Sequence, residues 1–453
     1  MTTIGPGEEL LAPSPIAAGL PQREGAVGTG WLAVVGVALV AGIVFRLMLP
    51  GVVEYHGDEK FTFDHVMNVL QGGPWPTRGM LMSVGGPNAG MSVWIFVLLG
   101  LVFQPETPPD LARAVQLLNV AALLAFLAFV LTAIPRRQRE PWLWSLALWA
   151  VNPLAVVYER KIWPPSVLPI FVVAMLFGWW YRRHWLGAFV FALVTTVAAQ
   201  IHPTAMFLGL AILAWTLFDD RRAFRVSGLI AGAALGIVPA LSWFASYYNE
   251  GSDKLHKLRP PWLTFYGRWF TEPFGFGPDH TLGPLEVPRF MAWPIIGGQA
   301  TYGGLILHFA VALLAVGLLA RAAIRLYRSG LLSDRWLLLG ETAGGRLVRA
   351  AFFGFGTVLT LLTIRGGGLY PHYLIVIAPI MTLWVALTAA FADGGTLATR
   401  GRALLAGLCA CDALLVVLLF SYISATGSIR GEFGPSWAWQ QAQPEPIVIE
   451  PTK

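Results

Sequence analysis

The sequence predicts an all-α polytopic membrane protein with about eleven transmembrane helices. Three observations carry that reading. Of 453 residues, 56% are hydrophobic and only 12% are charged, whereas soluble proteins carry about a quarter charged residues. The mean hydropathy is +0.63. Apolar runs close to the roughly 20 residues that cross a bilayer recur from Trp31 almost to the C-terminus.

Residues 1–28 are polar and rich in Gly, Pro and Ala. They are expected to form a disordered cytoplasmic tail, since they lack the compact form of a cleaved signal. A transmembrane domain is expected over 29–424 and an external tail over 425–453. The apolar runs are 31–50, 89–103, 111–134, 141–157, 166–181, 186–200, 203–218, 226–247, 301–320, 348–364, 371–391 and 403–424. If all of them cross, the basic cluster Pro135-Arg-Arg-Gln-Arg139 and those after it make the external side the more basic one. The run 89–103 is short and is led by Gly86-Pro-Asn-Ala-Gly90. With this run laid along the interface, Arg136, Arg137, Arg139, Arg182, Arg183, Arg221, Arg222, Arg225, Arg321, Arg325, Arg328, Arg335, Arg346, Arg349, Arg400 and Arg402 all become cytoplasmic. That is the positive-inside pattern. The expected topology has the N-terminus inside and the C-terminus outside the cell inner membrane, with external loops at 51–110 and 248–300. The second of these loops, rich in Trp, Pro, Gly and Phe, is expected to pack onto the membrane face.

Charge and cysteine content exclude several function classes. The net charge of +6 lies mostly at the ends of apolar runs, where it sets orientation rather than recruiting nucleic acid. Cys409 and Cys411 are two apart in one helical run and point to different faces, so a bridge is not expected. No phosphate-binding loop, zinc triplet or dinucleotide fingerprint is present, and no repeat stands at solenoid periods.

The candidate chemistry gathers at the external side. Asp58 and Glu59 follow the first run within Glu54-Tyr-His-Gly-Asp-Glu-Lys-Phe-Thr-Phe-Asp64-His65. A carboxylate at the edge of a membrane core is poorly solvated and is either functional or costly. It could serve as general base, or Asp58 could cap a helix over Glu59–Leu70 with dipole support from Glu59. Glu159, Arg160 and Lys161 sit between two runs. The cations suit a phosphate, or they form a solvated turn with snorkelling side chains. Tyr158 and Trp163 beside them fit an interfacial aromatic belt. Arg365, Tyr370, His372 and Tyr373, around three glycines, could reach an anionic ligand or form a flexible connection. His202 and His65 are further candidates, and a His beside Pro, as His202 is, is commonly structural. Asp412, within the last run, is expected to make a helix–helix hydrogen bond.

In four places the chain resembles the integral-membrane glycosyltransferases of the GT-C fold, and among them the bacterial relatives of protein O-mannosyltransferases and the lipid A aminoarabinose transferase. These are Gly57-Asp58-Glu59 after the first run; Gly86-Pro-Asn-Ala-Gly-Met-Ser-Val-Trp94 as an interfacial helix; Asn152-Pro-Leu with Tyr158-Glu-Arg-Lys-Ile-Trp163; and Tyr370-Pro-His-Tyr-Leu-Ile-Val-Ile-Ala-Pro379. Gly431-Glu-Phe-Gly434 resembles an ending of these relatives. The likeness covers about residues 31 to 440. It implies inverting transfer of a sugar from a polyprenyl-phosphate donor to a lipid, glycan or protein acceptor on the outer face. Asp58 would be the base and Glu59 a supporting acid, while Arg160, Lys161, Arg365, His372 and Tyr370 would hold the donor phosphate. No cofactor or divalent metal is required by that scheme. The family's second acid falls near Ser166, where no acid is present, and Glu159 is the possible substitute. The rival reading is a transporter or flippase for lipid-linked sugars, which would want polar residues along several spans near the midplane.

Overall fold

The computed structural model describes residues 29–81, 86–247, 259–329, 342–365, 370–427 and 433–443. The chain folds as helices: α1 (Gly30–Leu47), α2 (Gly57–Leu70), α3 (Met91–Phe103), α4 (Pro108–Thr132), α5 (Arg139–Val151), α6 (Pro153–Tyr158), α7 (Leu168–Trp180), α8 (Trp185–Ile201), α9 (Pro203–Asp219), α10 (Val226–Ile237), α11 (Leu241–Tyr247), α12 (Thr264–Trp269), α13 (Pro278–Ala292), α14 (Gly303–Arg328), α15 (Ala343–Arg349), α16 (Gly356–Leu362), α17 (Ala378–Ala392), α18 (Thr399–Thr426) and α19 (Trp437–Gln441). Two small antiparallel ribbons, β1 (Arg78–Leu81) with β2 (Pro87–Ala89) and β3 (Ile295–Ile296) with β4 (Gln299–Ala300), complete the described secondary structure.

This is a polytopic all-α membrane protein. Among the described residues seven helices are long and apolar enough to cross a bilayer, and Pro164–Trp180, Trp185–Ile201 and Pro203–Asp219 are shorter apolar helices. The α5–α6 pair fills the remaining expected run, broken at Asn152, whose side chain accepts from the Ala155 amide. Helix α3 has 13 residues, about 20 Å at 1.5 Å per residue, which is too short to span. The expected helix over residues 86–94 is corrected here: Pro87–Ala89 is a strand and helix begins at Met91. Proline suits this strand because it stands at the edge of a two-stranded ribbon, where a missing N–H costs little.

The interior is built by close helix approach and aromatic packing. Gly42 of α1 lies so near α5 that a Cβ there would stand 2.3 Å from the Ala150 oxygen. Phe126 and Phe129 of α4 pack around Trp142, with ring centroids 6.0 and 5.6 Å away. Ion pairs join the helix ends remote from Asp58. Arg402 binds Glu140 at 2.6 and 3.0 Å, Arg321 binds Asp393, and Arg183 binds Asp220 at 2.9 Å. The arginines flanking the apolar runs therefore meet at one end of the bundle.

Two segments depart from expectation. The stretch 264–282, expected to pack onto the membrane face, inserts instead among the helices. Phe265, Trp269, Glu272 and Phe274 are buried, and the Phe274 ring lies 5.9 Å from Trp384 of α17. Gly275, at φ +80°, passes so close to α18 that a Cβ would meet the Asp412 carboxylate. Asp412 does not make the expected helix–helix hydrogen bond, because it faces this backbone turn rather than a polar side chain. Neither carboxylate oxygen has a partner among the described residues. The C-terminal tail does not trail away either. Residues 433–443 lie along Val53–Tyr55: the Trp437 amide donates to the Val53 oxygen at 2.9 Å, the Gly434 amide to Glu54 Oε1 at 2.8 Å, and the Tyr55 and Trp437 rings meet edge-on at 5.0 Å. Cys409 and Cys411 are free, as their spacing predicts.

Candidate active site

A cavity of about 460 Å³ opens at the bundle end opposite the ion-paired arginines. Its walls come from the start of α2, the 158–165 connection, the α8–α9 break, the end of α16 and the segment before α17. One part is polar, with Asp58, Lys161 and His202, and another is apolar, with Phe207, Leu359 and Leu362.

Asp58 stands in the first turn of α2, one residue past its start at Gly57. His56 occupies the N-cap position, so Asp58 is not the cap. Both acids instead sit where the helix dipole favours negative charge. The Asp58 side chain is exposed to the cavity, and its Oδ2 accepts the Trp163 indole N–H at 3.0 Å.

Glu59, the next residue on the helix, turns inward and is buried. Lys161 bridges it at 3.1 Å and Glu54 at 2.5 Å. Burial pushes the Glu59 carboxyl up to about 8, and Glu54 adds to this while Lys161 opposes it. Burial works against the Lys161 charge, but Glu54 and Glu59 outweigh it and keep the ammonium protonated. The ammonium also lies 4.8 Å from the Trp163 ring and 5.2 Å from that of Tyr158. Lys161 thus faces the cavity with its charge already balanced.

Glu159, Arg160 and Lys161 do not form a solvated turn, for all three are buried. Arg160 turns into the protein and donates to the carbonyls of Phe45 at 2.6 Å and Leu49 at 2.9 Å, with its guanidinium over the Phe420 ring at 4.4 Å. It does not line the cavity. Glu159 is taken up by Arg46 at 2.6 and 2.8 Å and by the Trp149 indole at 2.8 Å. A buried carboxylate held in that way is part of the scaffold, because removing either partner would leave a charge in low dielectric. Arg46 lies inside an apolar run and is easily passed over in sequence. Nothing in the sequence pairs it with a residue 113 positions away.

His202 lines the cavity at the break between α8 and α9, its Nδ1 2.7 Å from Thr204 Oγ1. Loss of hydration pushes its imidazole down to about 4, so it is neutral at physiological pH. Tyr373 lies 5.4 Å from the His202 ring and 5.9 Å from Tyr370, and both tyrosines line the cavity. His65 is placed elsewhere, its ring tilted by 33° against Phe61 at 4.1 Å with Nδ1 2.8 Å from the Phe61 oxygen. The side chains of Arg365 and His372 lie outside the described residues. Among the described residues no group of three or more His, Cys, Asp or Glu is arranged to hold a metal ion.

No protein-family model matches the sequence, and neither does any curated protein. Among solved structures the chain is similar to the oligosaccharyltransferase of Archaeoglobus fulgidus in its apo form, at 14% identity and a TM-score of 0.47. It is also similar to that enzyme tethered through a disulfide to an acceptor peptide containing the NVT sequon, at 14% identity and a TM-score of 0.45. Each match covers 91% of this chain and 57% of the archaeal one. The chain therefore aligns with little more than half of the archaeal protein's length.

Proposed function

We propose that the protein is an inverting membrane glycosyltransferase that uses a lipid-phosphate sugar donor, with Asp58 as its general base. The observation that carries this reading is the contrast between neighbouring acids around one cavity. Glu54 and Glu59 are bound to Lys161, whereas Asp58 is exposed and keeps Oδ1 outside its single side-chain bond to Trp163. In this scheme Asp58 takes the acceptor's hydroxyl proton as the oxygen attacks the anomeric carbon from the face opposite the phosphate. One C–O bond forms to the acceptor, and the C–O bond to phosphate breaks. The lipid phosphate leaves with the electron pair of that bond.

Developing charge on that phosphate needs donors placed in advance. Tyr370 and Tyr373 are in position to provide hydroxyls, and Arg365 and His372 adjoin them in sequence. Lys161 contributes less than its charge suggests, since Glu54 neutralises it and Glu59 also binds it. Phe207, Leu359 and Leu362 suit the first lipid segment of a polyprenyl donor, and the polar part suits a sugar. The acceptor would be a lipid, glycan or protein reached from the outer face, in a scheme without a cofactor.

The flippase reading is less well supported. Of the polar groups within the spans, Arg46 and the Asn119 amide nitrogen are taken up by bonds to the chain, Asp412 is buried against the Gly275 turn, and none of the three lines the cavity. The test is donor turnover by the purified protein over a panel of polyprenyl-phosphate sugars. Asp58→Asn keeps shape and the Trp163 contact site but loses the basic oxygen. Its expected turnover is below about a hundredth of wild type, with unchanged membrane insertion. Wild-type turnover by the Asn variant removes Asp58 from the chemistry, and absence of turnover with every donor removes the transferase reading.

A further inference from the structure

Resting on the reading of Asp58 as base, we infer that Trp163 is the positioning residue of this site, its indole N–H fixing one Asp58 oxygen while its ring is seated against the Lys161 ammonium. An interfacial-belt tryptophan turns its N–H toward the wet headgroup region. Trp163 does not. It is 8% exposed, and its N–H is directed at Asp58 Oδ2, 3.0 Å away.

The backbone of Trp163 is set on its C-terminal side. Pro164 and Pro165 open a short 3₁₀ turn over Pro164–Val167, and the Ser166 amide donates to the Trp163 oxygen at 2.9 Å. The ring is set on the N-terminal side. Lys161 Nζ lies 4.8 Å from the ring centroid and the Tyr158 ring 6.0 Å away. Lys161 is in turn held by Glu54 and Glu59. A carboxylate on an exposed first turn would otherwise sample several rotamers. With one oxygen fixed, the other is presented in a single direction. A displacement of about 1 Å in such a group can cost on the order of a hundredfold in rate.

Two measurements on the full-length protein in nanodiscs test this. In the donor-turnover assay, Trp163→Phe keeps an aromatic ring beside Lys161 and removes the N–H. The expected result is a fall in kcat of about tenfold to a hundredfold with KM changed by less than about threefold. Wild-type kcat, or a loss confined to KM, overturns the inference even though Asp58→Asn remains inactive. The second readout needs no activity. In a spectrum of ¹⁵N-indole-labelled protein, the Trp163 resonance, assigned by its absence in Trp163→Phe or Trp163→Tyr, should shift in Asp58→Asn. An indole resonance that does not move in Asp58→Asn overturns the contact. Failure of every donor with a resonance that does move would instead count against the transferase reading alone.

Discussion

At the scale of single residues, the site is decided by which of several adjacent charges the fold leaves unpaired. Asp58 and Glu59 are neighbours, yet on a helix consecutive side chains diverge by about 100°. Both line the cavity, but Asp58 is exposed to it whereas Glu59 is buried and held by Lys161. Arg160 and Lys161 divide too, Lys161 lining the cavity and Arg160 turning away from it, and this could not be read from sequence because the partners, backbone carbonyls for one and two acids for the other, lie far away along the chain. Glu59 gives a pH prediction. Its carboxyl is raised to about 8 in the folded protein, from an unfolded value near 4.3. The folded state therefore holds a proton that the unfolded state releases, and stability falls as pH rises between those values. His202, lowered to about 4, acts in the opposite sense, adding stability with pH up to its unfolded value near 6.5. In the window from about pH 6.5 to 8 His202 no longer contributes, and comparison with Glu59→Gln separates Glu59 from every other group. Thermal unfolding of wild type should drop across it, and Glu59→Gln should flatten the drop. An equal slope in both proteins would show that Glu59 is ionised in the folded state throughout.

At the scale of elements, the helices were the most legible part of the chain. The amphipathic stretch from Glu59 to Leu70 is α2, which begins two residues earlier and ends at Leu70. Apolar periodicity and length suffice for such a segment. The C-terminal segment was not legible as part of the site. Much of its attachment runs through main-chain groups, Trp437 to Val53, Ala438 to Gly51 and Tyr55 to Pro435, and the side-chain contacts that join them, such as Gly434 to Glu54, link positions 380 apart that no local pattern relates. The inserted stretch 264–282 was missed for a related reason, since its aromatic residues suit an interface and an interior equally well. The C-terminal segment braces Glu54, and Glu54 braces Lys161. Removing residues 433–453 should therefore lower donor turnover by at least about tenfold. The protein should remain inserted, because the removed residues contain none of the seven long apolar helices. Turnover equal to that of the full chain would mean that the segment around Glu54 and α2 holds its shape without the strap.

At the scale of the whole molecule, charge and chemistry occupy opposite ends of one helical bundle. The ends of α7 and α14 and the start of α18 carry ion-paired arginines, and their acids stand at the ends of α9 and α17 and the start of α5. The cavity lies at the end of α6, the α8–α9 break and the end of α16. That separation gives a sequence of 12% charged residues two chemically distinct ends. Basic groups at one set of helix ends fix the cytoplasmic side during insertion, and the polar groups left at the other set are there for another reason. If Asp58 draws its acceptor from outside the cell, Lys60 on α2 must be external and Ser329, just past the end of α14, cytoplasmic. In a background with Cys409 and Cys411 replaced by serine, Lys60→Cys should react with a membrane-impermeant maleimide on intact cells. Ser329→Cys should react only after permeabilisation. Both positions are exposed, so failure to label cannot be assigned to burial in the protein. The reverse pattern would put the cavity on the cytoplasmic face, where a lipid-linked donor would have to be met before it crosses the membrane, and would turn the proposed outer-face transfer into a cytoplasmic one.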